Sequence, residues 1–504
     1  MTNLFHILTA NGAPAAPFLE RPNGAVDSYA DLQAHTARYA HALRALGVKV
    51  GDRVAVQIEK SPENLYLYLA VVRAGAVFLP LNTAYTLNEL DYFIGDAGPS
   101  LVVCDPAIEE DVAGLVDALD ARVVTLDANG EGSLADIAAT RPTAFPTEPR
   151  EAGDLAVICY TSGTTGRSKG AMLTHGNLAS NAATLVDLWR FTAGDVLIHA
   201  LPIYHVHGLF VATNVTLMAG ASMLFRPKFD AAEALSLFPR ATALMGVPTF
   251  YTRLLAQPGL TREAVAGMRL FISGSAPLLA EVHDQWRERT GTAILERYGM
   301  TETGMNTSNP YDGHRVAGTV GPPLPDVALR VADPETGAIL PQGDIGMIEV
   351  KGPNVFAGYW NMPEKTAAEF RPDGFFITGD LGKIDAAGYV HIVGRGKDLI
   401  ITGGFNVYPK EVEEELDGLP GVVESAVIGL PHPDLGEGVT AVVATGGKGA
   451  FSEEAVIAAL KDRLARFKQP RRVLFVDDLP RNAMGKVQKA LLRELHAGLY
   501  KDGK

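Results

Sequence analysis

The sequence predicts an α/β protein with a large multi-layer N-terminal domain, a β-rich module within it, and a small α+β C-terminal domain. Three observations predict this. Helical and strand periods alternate along most of the chain, which is the pattern of α/β architecture. A turn-rich stretch over 322–351 interrupts them late. After Lys397 a new helix–strand–strand–helix–strand order fills roughly 100 residues, an ordinary domain size. The boundary is placed there, giving domains 1–396 and 397–504. A length of 504 residues also exceeds one ordinary domain.

The elements come in this order. Ser28 opens an amphipathic helix with Leu32, Tyr39, Leu43 and Leu46 on one face, and Gly47 closes it. Val54, Val56 and Ile58 alternate as a half-buried strand does. Ser61, Pro62 and Glu63 are a helix start: a capping hydroxyl, a first-turn proline, an acid at the positive dipole end. That helix runs to Arg73, and 77–79 is the next strand. Further strands are expected over 155–160, 196–201, 241–245, 270–273 and 293–295. The turn signal Asp333-Pro334-Glu335-Thr336-Gly337 marks the β-rich module. In the last domain helices are expected over 410–416 and 453–464, with strands over 423–430, 439–444 and 473–476.

Composition excludes several functions. Apolar residues at 47% and charged residues at 20% are globular proportions. The net charge of −14 argues against nucleic-acid binding, which needs a basic footprint. Two cysteines, Cys104 and Cys159, exclude a disulfide framework and a four-cysteine zinc site. The longest apolar run, 65–81, is broken by Arg73, Gly75 and Pro80, so no membrane span is expected. The N-terminus carries no basic region of a signal peptide, so the expected compartment is the cytoplasm.

The strongest local signal runs from Tyr160 to Gly170: Thr161, Ser162, Gly163, Thr164, Thr165 and Gly166, then Arg167 and Lys169. Small, hydroxylic residues after an apolar strand offer backbone amides and hydroxyls to phosphate oxygens, and the lysine adds charge. A flexible linker has the same composition, but it would not sit between an apolar strand and the helical stretch 177–189. No Walker A loop is present, since the Gly-Lys pairs at 396–397 and 485–486 are followed by Asp398 and Val487. Nor does a Gly-x-Gly-x-x-Gly follow a strand.

This loop resembles the signature of adenylate-forming enzymes, the acyl-CoA synthetases and their relatives. Four further signatures stand in family order: Glu296-Arg297-Tyr298-Gly299-Met300-Thr301-Glu302-Thr303, Thr378-Gly379-Asp380, Gly394-Arg395-Gly396-Lys397-Asp398, and Pro480 through Lys486. The chain is most similar to malonyl-CoA synthetases, through Pro202-Ile203-Tyr204-His205-Val206-His207-Gly208, the Glu-Arg-Tyr-Gly form of the central motif, and Met305 through Pro310.

The resemblance implies ATP, Mg²⁺ and CoA as reactants, a small dicarboxylate (malonate first, methylmalonate second) as substrate, and a C-terminal domain that moves. A carboxylate oxygen attacks the α-phosphate of ATP, pyrophosphate leaves, and a thiol then displaces AMP. Such chemistry is mostly positioning and charge stabilisation. Thr161 to Lys169 would cradle phosphates, Glu302 with Thr301 nearby would meet the hard cation, and Asp380 would accept from the ribose diol. Lys486 would bring a cation to the bridging oxygens. By the same resemblance Tyr298 stacks on adenine, the Ser275 and Ala276 backbone flanks it, Arg395 contacts ribose, and Lys397 is the hinge. His205 would lie at the acyl pocket, with a satisfied buried histidine as the alternative. Arg297 would meet the second carboxylate, with Val206 and Met305 bounding the C2 substituent; by spacing alone Glu296 and Arg297 read as an exposed strand end. Singly, Asp380 also reads as a turn cap, Glu302 as a surface acid and Lys486 as a solvated cation; their joint order decides. Arg466, Lys468, Arg471 and Arg472 read either as a clamp for CoA phosphates or as a basic surface. A lysine acetyltransferase and deacetylase acting at Lys486 are expected partners. The other readings are a ligase for another short-chain or aromatic acid, a stand-alone domain loading a carrier-protein thiol, and a degenerate AMP-binding protein.

Overall fold

Near-continuous apolar runs make strands buried on both faces, and such strands belong to parallel sheets covered by helices. A computed structural model of the chain describes residues 2–117, 119–161, 168–403, 405–446, 452–461, 463–482 and 485–500. By packing it forms two compact units, one of 1–328 with 351–376, the other of 329–350 with 377–504.

The first unit holds two sheets. One has six strands in the order Arg122–Thr125, Leu101–Cys104, Arg53–Gln57, Val77–Pro80, Leu155–Thr161, Lys169–Thr174. All are parallel except the last, which turns back on its neighbour. The other has eight, in the order Gly304–Ser308, Leu295–Met300, Leu270–Ser273, Ala243–Gly246, Val196–His199, Ser222–Phe225, Pro17–Glu20, Val26–Ser28. Its inner strands are parallel and both edges are closed by antiparallel partners.

The capping chemistry works as the sequence predicts. Ser28 and Asp31 form a reciprocal capping box for the helix Tyr29–Ala45. The Ser61 hydroxyl accepts from the Asn64 N–H at the start of Pro62–Arg73. That helix is apolar nearly all round and buried accordingly. Trp286 anchors a core against Tyr251 and Phe271, with ring centroids 5.2 and 4.8 Å away in edge-on packing. Both cysteines are buried and unpaired. No helix among the described residues is long and apolar enough to cross a membrane.

The second unit carries the β-rich module, a four-stranded sheet of Ala328–Ala332, Gly346–Lys351, Phe376–Ile384 and Val390–Arg395. A separate sheet is built on the hairpin of Glu424–His432 and Gly436–Ala444. Period-two alternation divides it cleanly. Val439, Ala441 and Val443 face Val412, Leu416, Val456 and Leu460, while Val442 faces Leu492 and Tyr500. The helix expected to reach 464 ends at Leu460.

Two differences from the sequence expectation matter for the site. The phosphate loop leads directly into a strand, not into a helix: Leu155–Thr161 and Lys169–Thr174 are arms of one hairpin. The strand expected over 293–295 instead begins at Leu295 and runs through the central motif to Met300.

Candidate active site

Ser162, Gly163, Thr164, Thr165, Gly166 and Arg167 lie outside the described residues. The hairpin that carries them is described up to its rim, where Thr161 stands opposite Lys169. The Lys169 ammonium meets Glu369 Oε1 at 3.3 Å and lies 4.4 Å from the centre of the Tyr359 ring.

The central motif is a second hairpin. Arg297 pairs with Ser308 and Tyr298 with Thr307, and the turn between the arms carries Thr301 and Glu302. Asn181 clamps the returning arm, accepting from the Met305 N–H at 3.0 Å and donating to its carbonyl at 2.9 Å. Asn354 donates to the carbonyls of Thr303 and Met305. Glu302 is buried, and the Tyr359 hydroxyl lies 3.0 Å from its Oε1 and 2.8 Å from Glu369 Oε2. Burial, then the two carboxylates, pushes the Tyr359 phenol far up, so it stays protonated. Burial raises Glu369 as well, but the bonds from Lys365 and Tyr359 and the charge of Lys169 hold it below the usual carboxylate range.

Arg297 and Tyr298 are consecutive in a strand, so their side chains leave on opposite faces. Arg297 is 3% exposed and its guanidinium lies against Gly274, where a Cβ would come within 2.4 Å of it. Next to that glycine Ser275 holds a left-handed φ of 71°. Its hydroxyl meets Nδ1 of His207 at 3.1 Å. Three buried polar atoms here have no hydrogen-bond partner among the described residues: Nε and Nη2 of Arg297 and Nε2 of His207. Burial lowers the Arg297 guanidinium to about 9, and burial followed by the charge of Arg297 keeps His207 neutral.

His207 opens a π-helix, His207–Thr213. The carbonyl of Gly208 is held by His199 Nε2 at 2.9 Å, and Nδ1 of that histidine meets the Lys60 ammonium at 3.0 Å. His205 accepts from the His207 backbone N–H at 3.3 Å. Val206, buried, lines a void of about 10 Å³ with Phe210, Asn181 and Thr301. Met305 is buried, and a Cβ on Gly299 would lie 2.5 Å from its terminal methyl. Ser275 and Ala276 are half-buried.

In the second unit Asp380 and Arg395 face each other across adjacent strands, Nε to Oδ1 at 2.6 Å. The Thr378 hydroxyl accepts from the Asp380 N–H and donates to the Ile348 carbonyl. Lys397 lies in a single 3-10 turn, Gly396–Asp398. Lys486 is exposed and closes a turn with Asn482 through paired backbone bonds of 3.0 Å and, from Gly485, 2.9 Å. Of the basic cluster, Lys468 pairs with Glu411 and Arg472 with Glu453.

The donor set suits a hard cation. Mg²⁺ keeps most of its waters and takes one or two carboxylates plus substrate phosphates. Glu302 is one buried carboxylate, and no cluster of three or more His, Cys, Asp or Glu among the described residues competes with that mode. Tyr359, Glu369 and Gly274 are candidate site residues that sequence reasoning does not single out. His207 stands in the 202–208 motif, where beside His205 it is a weak pair for a metal, and sequence reasoning gives it no role toward the acid.

The family model of AMP-binding enzymes matches residues 9–360, and the model of the AMP-binding enzyme C-terminal domain matches 411–486. A feruloyl-CoA synthase from an Amycolatopsis species is 38% identical, covering 94% of each chain. A malonate–CoA ligase from Arabidopsis thaliana is 35% identical over 88% of this chain and 78% of its own. The crystal structure of ATP-bound MatB from Rhodopseudomonas palustris is 65% identical, covers 99% of both chains and matches with a TM-score of 0.98. The five motifs in order and a match over most of the length have one explanation: the chain belongs to the family of AMP-binding enzymes.

Proposed function

We propose that this enzyme joins malonate to CoA with ATP, forming malonyl-CoA, AMP and pyrophosphate through malonyl-adenylate, with methylmalonate as a second acid. The observation that carries the reading is the socket of Arg297. A buried guanidinium with two unpartnered N–H groups costs several kcal/mol unless an anion completes it. An arginine fork matches a carboxylate, and Nε2 of His207 supplies a second donor when Ser275 donates to Nδ1. A diacid presents one carboxylate to that socket and the other to ATP.

In this reading the reacting carboxylate oxygen attacks the α-phosphorus, and pyrophosphate leaves. The CoA sulfur then attacks the acyl carbon, the thiol proton goes to solvent or to His205, and AMP leaves. Lys169 and the amides and hydroxyls from Thr161 to Gly166 hold the phosphates. Glu302, with Thr301 beside it, would hold Mg²⁺, which when bound neutralises phosphate charge. Asp380 accepts from the ribose diol, and Arg395, already paired with it, fixes its rotamer and reaches the ribose. Tyr298 stacks on the adenine flanked by Ser275 and Ala276. Lys486 serves adenylation, and rotation about Lys397 serves thioester formation. Val206 and Met305 bound the C2 substituent. We assign Arg466 and Arg471, with Lys468 and Arg472 beside them, to the CoA phosphates.

The feruloyl-CoA synthase relative favours a second reading, a ligase for aromatic acids. Against it, an aromatic acid with one carboxylate brings no second anion to the buried guanidinium of Arg297. The cytoplasm is the proposed compartment, and two buried, unpaired cysteines fit reducing conditions. A lysine acetyltransferase and deacetylase are proposed partners at the exposed Lys486. Pyrophosphate release with ATP and CoA across malonate, methylmalonate, acetate, succinate, benzoate and ferulate tests the assignment. Malonate should lead in kcat/KM; ferulate or benzoate leading would replace this reading with the second.

A further inference from the structure

The Tyr359 hydroxyl faces two carboxylates and has one hydrogen to give. Its distances, 3.0 Å to Glu302 and 2.8 Å to Glu369, suit either bond but not both at once. What decides between them is the charge around Glu369. Its Oε1 takes Lys169 at 3.3 Å and Lys365 at 2.6 Å, while Oε2 faces the phenol. A carboxylate compensated by two ammonium groups is a weaker acceptor than one compensated by a single group. Glu302 is buried, where such differences are least screened.

We propose that Glu369 and Tyr359 are positioning residues that couple phosphate capture by Lys169 to cation capture by Glu302, an inference that rests on the roles given above to Lys169 and Glu302. Without nucleotide Glu369 parks Lys169, and the phenol hydrogen spends part of its time on Glu302. A triphosphate draws Lys169 away. Glu369 then keeps only Lys365 and becomes the stronger acceptor. The phenol turns its hydrogen wholly to Glu369, and Oε1 of Glu302 loses a donor just when an oxygen ligand is needed. No proton leaves the phenol; only its direction changes. A cation thus meets a prepared carboxylate only after phosphate has arrived.

Calorimetric titration of ATP into the full chain, in EDTA and again at saturating Mg²⁺, tests this without turnover. Glu369→Gln keeps the shape and removes the charge. In EDTA it should tighten ATP roughly threefold to tenfold, the scale of one part-buried ion pair, because Lys169 is no longer held. With Mg²⁺ it should weaken ATP, because the phenol stays on Glu302. In a Tyr359→Phe background the first effect should survive and the second vanish. Lys365, at 48% side-chain exposure, gives a variant that disturbs no core. Lys365→Met leaves Lys169 as the sole cation of Glu369 and should weaken ATP in EDTA. Shifts of the same sign in both buffers for Glu369→Gln, or a pattern unchanged by Tyr359→Phe, would overturn the coupling. A wild-type chain that binds no ATP overturns both this inference and the ligase reading. One that binds ATP but releases no pyrophosphate with malonate overturns the malonate assignment alone.

Discussion

Arg269 grips Asp195 with two hydrogens, Nε to Oδ1 at 2.6 Å and Nη2 to Oδ2 at 2.8 Å. The carboxylate is 3% exposed and also accepts from the Thr242 hydroxyl and the Thr192 N–H. It thereby ties strand starts of the eight-stranded sheet to one another. Burial alone would raise the Asp195 pKa, but the bonds from Arg269 and Thr242 outweigh it and hold the carboxyl low. A depressed pKa contributes stability that is present above the unfolded value, near ~3.9, and is lost as pH falls through the folded one. Asp195→Asn should therefore lower the melting temperature at pH 7 and flatten its fall between about pH 5 and pH 3. Arg269→Met leaves the buried carboxylate unpaired and should cost about 3 kcal/mol by denaturant titration at pH 7.

Arg297→Met removes the fork and keeps the bulk. For malonate kcat/KM should fall by roughly 2–4 kcal/mol of transition-state stabilisation, while butyrate holds or improves. Equal losses on both acids would make Arg297 structural.

Gly274→Ala acts on the same socket without touching its charge. A Cβ there would lie 2.4–2.6 Å from the Arg297 guanidinium and must displace it. Malonate kcat/KM should fall by about 10- to 100-fold, the cost of a misplacement near 1 Å. On the Arg297→Met background the same change should add little, since both act through one group.

Lys486→Ala should abolish malonyl-AMP formation, followed as pyrophosphate release, while supplied malonyl-AMP is still converted with CoA. Acetylation removes the same charge and should give the same pattern. Equal loss of both half-reactions would refute a role confined to adenylation.

Lys397→Pro fixes φ inside a 3-10 turn that can hold a proline, so folding should survive. Adenylation should persist better than thioester formation in single-turnover measurements. Unchanged overall turnover would move the hinge elsewhere.

Much of the proposed nucleotide site is legible in the sequence because its residues are local there. Glycines, hydroxyls and cations cluster in short runs, and their order along the chain carries the family. The opposition of Asp380 and Arg395 is a hairpin register, set by two motifs that are both visible. Glu369 and Tyr359 are not legible. They reach Lys169 and Glu302 through chain return, and nothing in the local pattern at 359–369 distinguishes them from a helix start and its surface acid. Local pattern ends the strand before Glu296 and Arg297, at 295, because polar residues come next. The strand continues because the returning arm at 304–308 completes its hydrogen bonds, a partner that no local window contains. The same extension buries Arg297, which by spacing alone reads as an exposed strand end.

The π-helix that begins at His207 has a consequence for how the acid pocket changes over time. Hydrogen bonds spanning five residues take one residue more than an α-helix of equal turns. An in-frame loss of one codon within it restores ordinary winding with the same number of turns, so the segments on either side keep their relative facing. Val206 and His207 would keep their faces, and the ring nitrogen its contact with Ser275. A change of one residue in length is therefore absorbed inside this helix, with the groups of the proposed acid pocket left in place.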